Sequence, residues 1–318
     1  MQDGDVVAVV ELAEAARLLH AGWDRSRTGP TPGGRGLRPL LLTRCLGAGT
    51  PALVADLPDG RIAGAVVARP LPSASAGDGR GDAWAIDDFY VDGPSAWTSA
   101  GLALLVALAG RAAAAGVAEL RISCPATDSA KAAMLAGAAL TRTAWLRTRT
   151  LTGRPPAPPA GVRAVVDADA DALAPLLAAA PRPRHTLAVP AVGDGPRSGR
   201  GLTLDDGSGP LGIAVVGPGE AGSGRGGAGH RDATVVADPI ALAPGADWAA
   251  DGARLIRGVE WLAANRGEAR LAIPCGPGDE ARDEELAAMG YSAPLEWWTL
   301  DLRDASHDDA DPAALGSG

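Results

Sequence analysis

The sequence predicts an α/β fold with a mixed sheet, built twice in tandem. Three observations carry that prediction. The 318 residues suit two domains of about 150 better than one. Apolar runs with strand-like alternation take turns with apolar stripes at three- and four-residue spacing. A set of residues also recurs at one interval. Asp87, Trp97, Gly101, Gly116, Cys124 and Asp128 stand 151 positions before Asp238, Trp248, Gly252, Gly267, Cys275 and Asp279. Val9-Val10 matches Val165-Val166 at a slightly larger offset, and Gly64 matches Gly212 at a slightly smaller one. Loop insertions between fixed elements shift offsets in that way.

The elements follow in order. Val6–Val10 alternates like a strand, and a helix is predicted around Leu12–Ala21. Two apolar runs, Ala52–Leu57 and Arg61–Val67, flank Pro58-Asp59-Gly60. Glycine supplies the positive φ of a tight turn there, so the segment reads as a hairpin. Residues 84–91 form a further strand. The helix Gly101–Ala115 carries the stripe Leu102, Leu105, Leu108, Ala109 and Ala112. Glu119–Cys124 is a strand, Asp128–Ala138 a helix and Trp145–Leu151 a last strand. The second copy repeats this with strands Leu202–Asp205, Leu211–Val216 and Thr234–Leu242. Helix Gly252–Asn265 follows, with stripe Ile256, Val259, Leu262 and Ala263, then strand Ala269–Pro274, helix Asp279–Met289 and strand Glu296–Leu302. Asp128 and Asp279 both stand where a helix wants an N-cap.

Between the copies, TGRPPAPPAG at 152–161 holds four prolines, which remove backbone donors and fix φ. The predicted domains are therefore 1–152 and 162–302, with a linker at 153–161. Residues 303–318 are acidic and rich in small side chains, and read as a disordered tail. A net charge of −9 and a pI near 5.0 argue against a nucleic-acid partner. The same charge suits a soluble protein and mildly favours a cationic amine. Cys45, Cys124 and Cys275 are three and well separated, so no disulfide framework is implied. No apolar run approaches the ~18 residues of a membrane helix. MQDGDVVAVV lacks the regions of a signal peptide. A cytoplasmic protein is expected.

The order of strands and helices resembles that of the GNAT-type N-acetyltransferases, and local wording supports it. Leu57–Gly64 is similar to the family's second hairpin and Ile86–Asp92 to its central strand. Gly101–Leu105 resembles the start of its cofactor helix, and Leu286–Tyr291 its helix-ending segment. The resemblance covers residues 5–151 and 162–302, and the tandem arrangement is similar to that of mycothiol synthase. It implies acetyl-CoA as co-substrate, bound where the central strand splays from its neighbour, with no metal. Phe89 and Val91 of the strand would meet the pantetheine arm. Thr98, Ser99, Ala100, Gly101 and Leu102 would offer backbone N–H groups to the pyrophosphate, where orphan donors and the helix dipole favour an anion. A small amine would enter from the other side. The expected state is a monomer with an internal pseudo-dimer, or a weak homodimer.

The chemistry is less complete than the fold. The family's phosphate loop begins with Arg or Gln and carries a second Gly; here only Gly101 agrees, in Ala96–Gly101. The second copy reads Asp247–Gly252, whose aspartates suit a helix start and oppose a pyrophosphate. The first copy is therefore the expected cofactor site. Asp87 and Asp88 are adjacent on a strand and point to opposite faces. Either, beside apolar Ile86, Phe89 and Val91, is a candidate general base. The family's thiolate-protonating tyrosine falls on Leu135 and Leu286, which carry no proton; Tyr90 is the candidate substitute. Asp238 precedes Pro239, which is expected to break the strand ladder.

Other groups point to structure. His20, His185, His230 and His307 have no metal-ligand spacing. Cys124 and Cys275 read as small buried packing residues without a partner base. Trp84, Trp145, Trp297 and Trp298 lie in strands and read as core. Gly222–Gly227 matches G-x-G-x-x-G by letters but opens no helix. Two functions remain: an acetyl-CoA-dependent N-acetyltransferase working through the first copy, or a catalytically degenerate binding or scaffolding module.

Overall fold

The computed structural model describes residues 5–19, 51–71, 83–153, 157–180, 201–207, 209–218 and 234–303. Cys45, the four histidines, the Gly222–Gly227 loop and residues 304–318 lie outside them. The described residues fall into two compact units. Unit 1 comprises Met1–Arg142 with Glu296–Gly318, and unit 2 comprises Thr143–Leu295.

In unit 1 the first element is a helix, α1 (Val6–Leu19). The predicted strand at Val6–Val10 is therefore wrong. Val6, Val9 and Ala13 are buried at helical spacing, and Val6 and Val9 pack on Ala52, Ala65 and Val67 of the sheet. That burial outweighs the few tenths of a kcal/mol that each β-branched residue costs a helix. Val9-Val10 is thus not the counterpart of Val165-Val166, which follow a short strand instead.

The hairpin is as the turn chemistry predicts: β1 (Ala52–Asp56) and β2 (Ile62–Pro70) pair antiparallel. Gly60 has φ 82° and donates its N–H to the Leu57 carbonyl. β3 (Ala83–Val91) lies antiparallel to β2 and parallel to β4 (Glu119–Pro125). Between them run a short 3₁₀ turn, Pro94–Thr98, and helix α2 (Ala100–Ala114). Helix α3 (Ser129–Gly137) follows β4, with Asp128 as its N-cap accepting from the Lys131 N–H at 2.9 Å. α2 buries Gly101, Leu104, Leu105, Leu108 and Ala112; Leu102, placed in the predicted stripe, lies only half-buried on its flank. The sheet order of unit 1 is β1-β2-β3-β4 followed by Glu296–Asp301 of β11 (Ser292–Asp301).

Unit 2 opens with β5 (Thr141–Thr150), most of which it contains, then β6 (Val162–Ala164) and α4 (Ala170–Ala179). The hairpin β7 (Gly201–Asp205) and β8 (Pro210–Pro218) leads to β9 (Thr234–Leu242). A π-helical turn at Trp248–Gly252 precedes α5 (Ala253–Asn265), then come β10 (Arg270–Cys275) and α6 (Glu280–Ala288). The sheet order is β5-β10-β9-β8-β7-β6. α5 buries Leu255, Ile256, Gly258, Val259 and Ala263, while Leu262 is only partly buried.

The compact units do not coincide with the sequence repeats. The last strand of the first repeat lies mostly in unit 2, and Glu296–Asp301 of the second repeat lies in unit 1. Periodicity marks both segments as strands, but it carries no information on which sheet edge a strand joins.

The repeat itself is visible in side-chain roles. A Cβ on Gly64 would stand 3.0 Å from Leu104 Cδ1, and one on Gly212 would stand 3.2 Å from Leu255 Cδ2. The helix after the central strand rests on a glycine of the second strand in each unit.

Candidate functional site

The central strand opens from its neighbour in both units. In unit 1 the β3–β4 pairing runs from Ala83↔Glu119 to Ile86↔Ile122, although β3 continues to Val91. In unit 2 the β9–β10 pairing runs from Thr234↔Arg270 to Val236↔Ala272, although β9 continues to Leu242. A β-bulge marks the break each time. The β2–β3 register passes from Val67↔Asp88 to Ala68↔Ile86, leaving Asp87 as the extra residue. The β8–β9 register shifts likewise between Val216↔Ala237 and Ala214↔Ile240, around Asp238-Pro239. Pro239 interrupts the ladder, as expected, while β9 runs on to Leu242. The bulge takes up a residue that cannot donate to the ladder.

Beyond the break, β3 presents the predicted site residues. Phe89 is 3% exposed and meets Trp97 edge to face, ring centroids 4.9 Å apart. Asp88 and Tyr90 share the opposite face, both half-buried. The Tyr90 hydroxyl donates to Asp88 Oδ1 at 2.5 Å. Asp87 contributes the bulge in the backbone. Val91 is buried, its Cγ1 placed 3.2 Å from where a Cβ of Gly64 would stand.

At the start of α2, Thr98 and Ser99 are exposed, Ala100 and Leu102 are half-buried and Gly101 is buried. Their hydroxyls turn back onto the Ser95 and Ala96 carbonyls at 3.3 and 3.4 Å. No side chain caps this helix, so its first-turn N–H groups are left for water or an anion. Trp97 explains the glycine behind them: a Cβ on Gly101 would stand 2.7 Å from Trp97 Cε3. The counterpart in unit 2 is built alike, with Gly252 against Trp248. There, however, the Asp247 carboxylate accepts from the Ala249 N–H, and Asp251 Oδ2 accepts from the Asp247 N–H. Carboxylates thus crowd the helix start of unit 2, where unit 1 has Ala96 and Ala100 in place of Asp247 and Asp251.

The two units differ most in what fills the opening. In unit 1 it is Lys131, on the first turn of α3 and 6% exposed. Its Nζ donates to the Ser123 carbonyl at 2.9 Å, one residue past the last β3–β4 pair. The same atom stands 5.3 Å from the ring centroids of Phe89 and Trp97. Burial draws its pKa down, opposed by nearby Cys124, Asp128 and Asp88. In unit 2 the equivalent residue is Arg282, 2% exposed. Its guanidinium donates to the Ile240 and Pro274 carbonyls, both at 3.1 Å, and so bridges β9 and β10 where they part. It also pairs with Asp279 and lies 5.9 Å from the Trp248 ring centroid. Asp279 does not cap α6 as predicted: its carboxylate is taken by Arg282 and by the Gly276 N–H at 2.9 Å. Beside Arg282 a cleft of about 170 Å³ is lined by Ile240–Ala243, Trp248 and Gly278–Asp279.

Sequence reading overlooked both cations. The signal was present, since each stands three residues after the aspartate of the repeat, at the same interval of 151.

The remaining candidates are structural. Leu135 and Leu286 are fully buried. Burial pushes the Cys124 and Cys275 thiols up to about 12, so neither is a nucleophile at neutral pH.

A GCN5-related N-acetyltransferase from Sphaerobacter thermophilus has the same architecture over nearly its whole length. It matches at a TM-score of 0.52, with 95% of this chain and 94% of that chain covered at 15% identity. The chain has a tandem GNAT-type fold. At that identity the likeness establishes the GNAT fold and nothing finer. A GCN5-related N-acetyltransferase from Kribbella flavida matches at a TM-score of 0.44 and 14% identity, covering 82% of this chain and 92% of its own. A tandem GNAT protein from the clavulanic acid biosynthesis pathway matches at 0.41 and 17% identity, covering 79% and 82%. No family profile matches the sequence, and no curated protein matches it by sequence. Among the described residues no helix of the GNAT units is long and apolar enough to cross a membrane.

Proposed function

We propose that the chain is an N-acyltransferase that takes an acetyl group from acetyl-CoA to a small amine, and that the opening of unit 1 houses the reaction. The observation that carries this reading is the Asp88–Tyr90 pair, hydrogen-bonded at 2.5 Å on the central strand just past its break from β4. A base and an acid on adjoining positions of one strand face are what attack by an amine and departure of a thiolate require. In unit 2 the same places hold Pro239 and Ala241, which carry no proton.

The residues of unit 1 fit the donor. Uncapped N–H groups at Ala100–Leu102 would hold its pyrophosphate, with Thr98 and Ser99 exposed beside them. The backbone of β3 past Ile86, unpaired with β4, would hold the pantetheine arm. When bound, the donor supplies the activated acyl group as a thioester. Asp88 accepts a proton from the incoming ammonium, and Tyr90, aimed at Asp88, returns one to the leaving thiolate. Unit 2 has carboxylates at its helix start and lacks an acid–base pair on its central strand, and serves as a structural partner.

Free-thiol release from acetyl-CoA in the presence of a panel of small amines tests the reading. Asp88→Asn is expected to lower turnover by ~10²–10⁴-fold, the usual contribution of a positioned proton acceptor. Turnover that survives Asp88→Asn unchanged would rule this mechanism out.

A further inference from the structure

Lys131 is the only lysine in a chain that carries 28 arginines. A lysine on the surface of so arginine-rich a protein would attract little notice. This one is 6% exposed and stands where β3 and β4 part. Its amine reaches the first β4 carbonyl beyond the last paired residue, with Phe89 below and Trp97 beside it. The second repeat keeps the buried cation but makes it an arginine. Arginine fills the same role as a hydrogen-bonding plug yet stays protonated and cannot attack a carbonyl.

We infer that Lys131 is a self-acylation site, modified by the acyl thioester that enters the opening of unit 1. The inference rests on the proposed donor site. A thioester bound along β3 past Ile86 would run beside the Lys131 Nζ, which is held by the Ser123 carbonyl at 2.9 Å. Two influences act on that amine. The rings and the carbonyl favour its charged form, while burial favours the neutral one and draws its pKa down. The neutral fraction is the nucleophile. Its lone pair forms the C–N bond as the C–S bond breaks, and the thiolate leaves with the bonding electrons. The proton shed by the nitrogen goes to that thiolate. The products are an amide on Lys131 and free coenzyme thiol. The amide can no longer carry charge over Phe89 and Trp97, so the modified protein has lost the cation that occupies its own opening. Asp88 lies within electrostatic reach of Lys131, and so loses a positive neighbour at the same moment.

The full chain incubated with acetyl-CoA, then analysed by intact mass and peptide mapping, tests this directly. One acetyl group on the peptide containing Lys131 is expected, formed at least about tenfold faster in folded protein than in urea-unfolded protein. Lys131→Arg, which copies the second repeat, is expected to fold, to keep its thermal shift with CoA, and to lose the label. A CoA shift without acetylation of Lys131 would overturn the inference and leave the donor site standing. Equal labelling of folded and unfolded protein would overturn it as well, since that is ordinary solution chemistry. Absence of both shift and label would sink the donor site and the inference together.

Discussion

Asp88 and Tyr90 sit two positions apart on a strand, and period-2 alternation alone places them on one face. Their pairing was therefore within reach of the sequence, although only the structure shows the hydrogen bond. Tyr90→Phe should lower turnover less than Asp88→Asn, because water can protonate a thiolate but does not replace a positioned base. An equal loss in both would mean that the two act as one structural pair. The cysteines make a separate prediction. Burial raises both thiols to about 12, whereas the unfolded chain titrates near ~8.5. Below ~8.5 this contribution to stability is fully present, and it is lost as pH rises through that value toward 12. Urea midpoints measured at about pH 8 and about pH 10.5 should fall more steeply for the native chain than for the Cys124→Ala, Cys275→Ala double variant. Parallel losses would contradict the assignment. Lys131 and Arg282 are easily passed over as a pair because their letters differ, although both are cations three residues after the repeated aspartate; their burial is visible only in the structure.

At the scale of elements, strands and helices were readable wherever an apolar period was long or a turn residue was chemically specific. The Asp59-Gly60 turn and β9 came out as predicted. The N-terminal helix did not, since Val6–Val10 satisfies alternation as well as helical spacing, and only the sheet it packs on decides. Helix α2 offers a matched test of the packing account. A Cβ on Gly101 meets Trp97 Cε3 at 2.7 Å, while one on Gly110 has nothing within 4 Å. Gly101→Ala should therefore destabilise by ~1–3 kcal/mol through overpacking. Gly110→Ala should stabilise by ~0.5–1 kcal/mol, because alanine loses less backbone entropy in a helix. Denaturant midpoints of the two variants decide it, and changes of the same sign would refute the close approach of Trp97 to the helix start.

For the whole molecule, the repeat was legible because six residue pairs keep one spacing through loops that could have drifted. The exchange of final strands was not, since both strands carry the same kind of pattern. It has a consequence: a fragment of residues 1–152 lacks Glu296–Asp301, which complete the sheet of unit 1. That fragment should be markedly less stable than the full chain and prone to associate through the bare edge of β4. A monomeric fragment with native-like stability would show that the edge needs no partner strand. Function turns on which opening takes the donor, and one substitution separates the two units. Ala100 corresponds to Asp251, so Ala100→Asp transplants the second unit's carboxylate to the first turn of α2. Negative charge there suits the helix, so the fold is expected to persist. Against a bound pyrophosphate the same charge costs ~1–4 kcal/mol at about 4 Å, depending on local dielectric. Thermal unfolding with CoA should show the native chain stabilised by ~2.7 kcal/mol at about 100 times the dissociation constant, and Ala100→Asp needing far more ligand for the same rise. No stabilisation of the native chain at millimolar CoA, or an equal rise in both proteins, would contradict a donor site in unit 1.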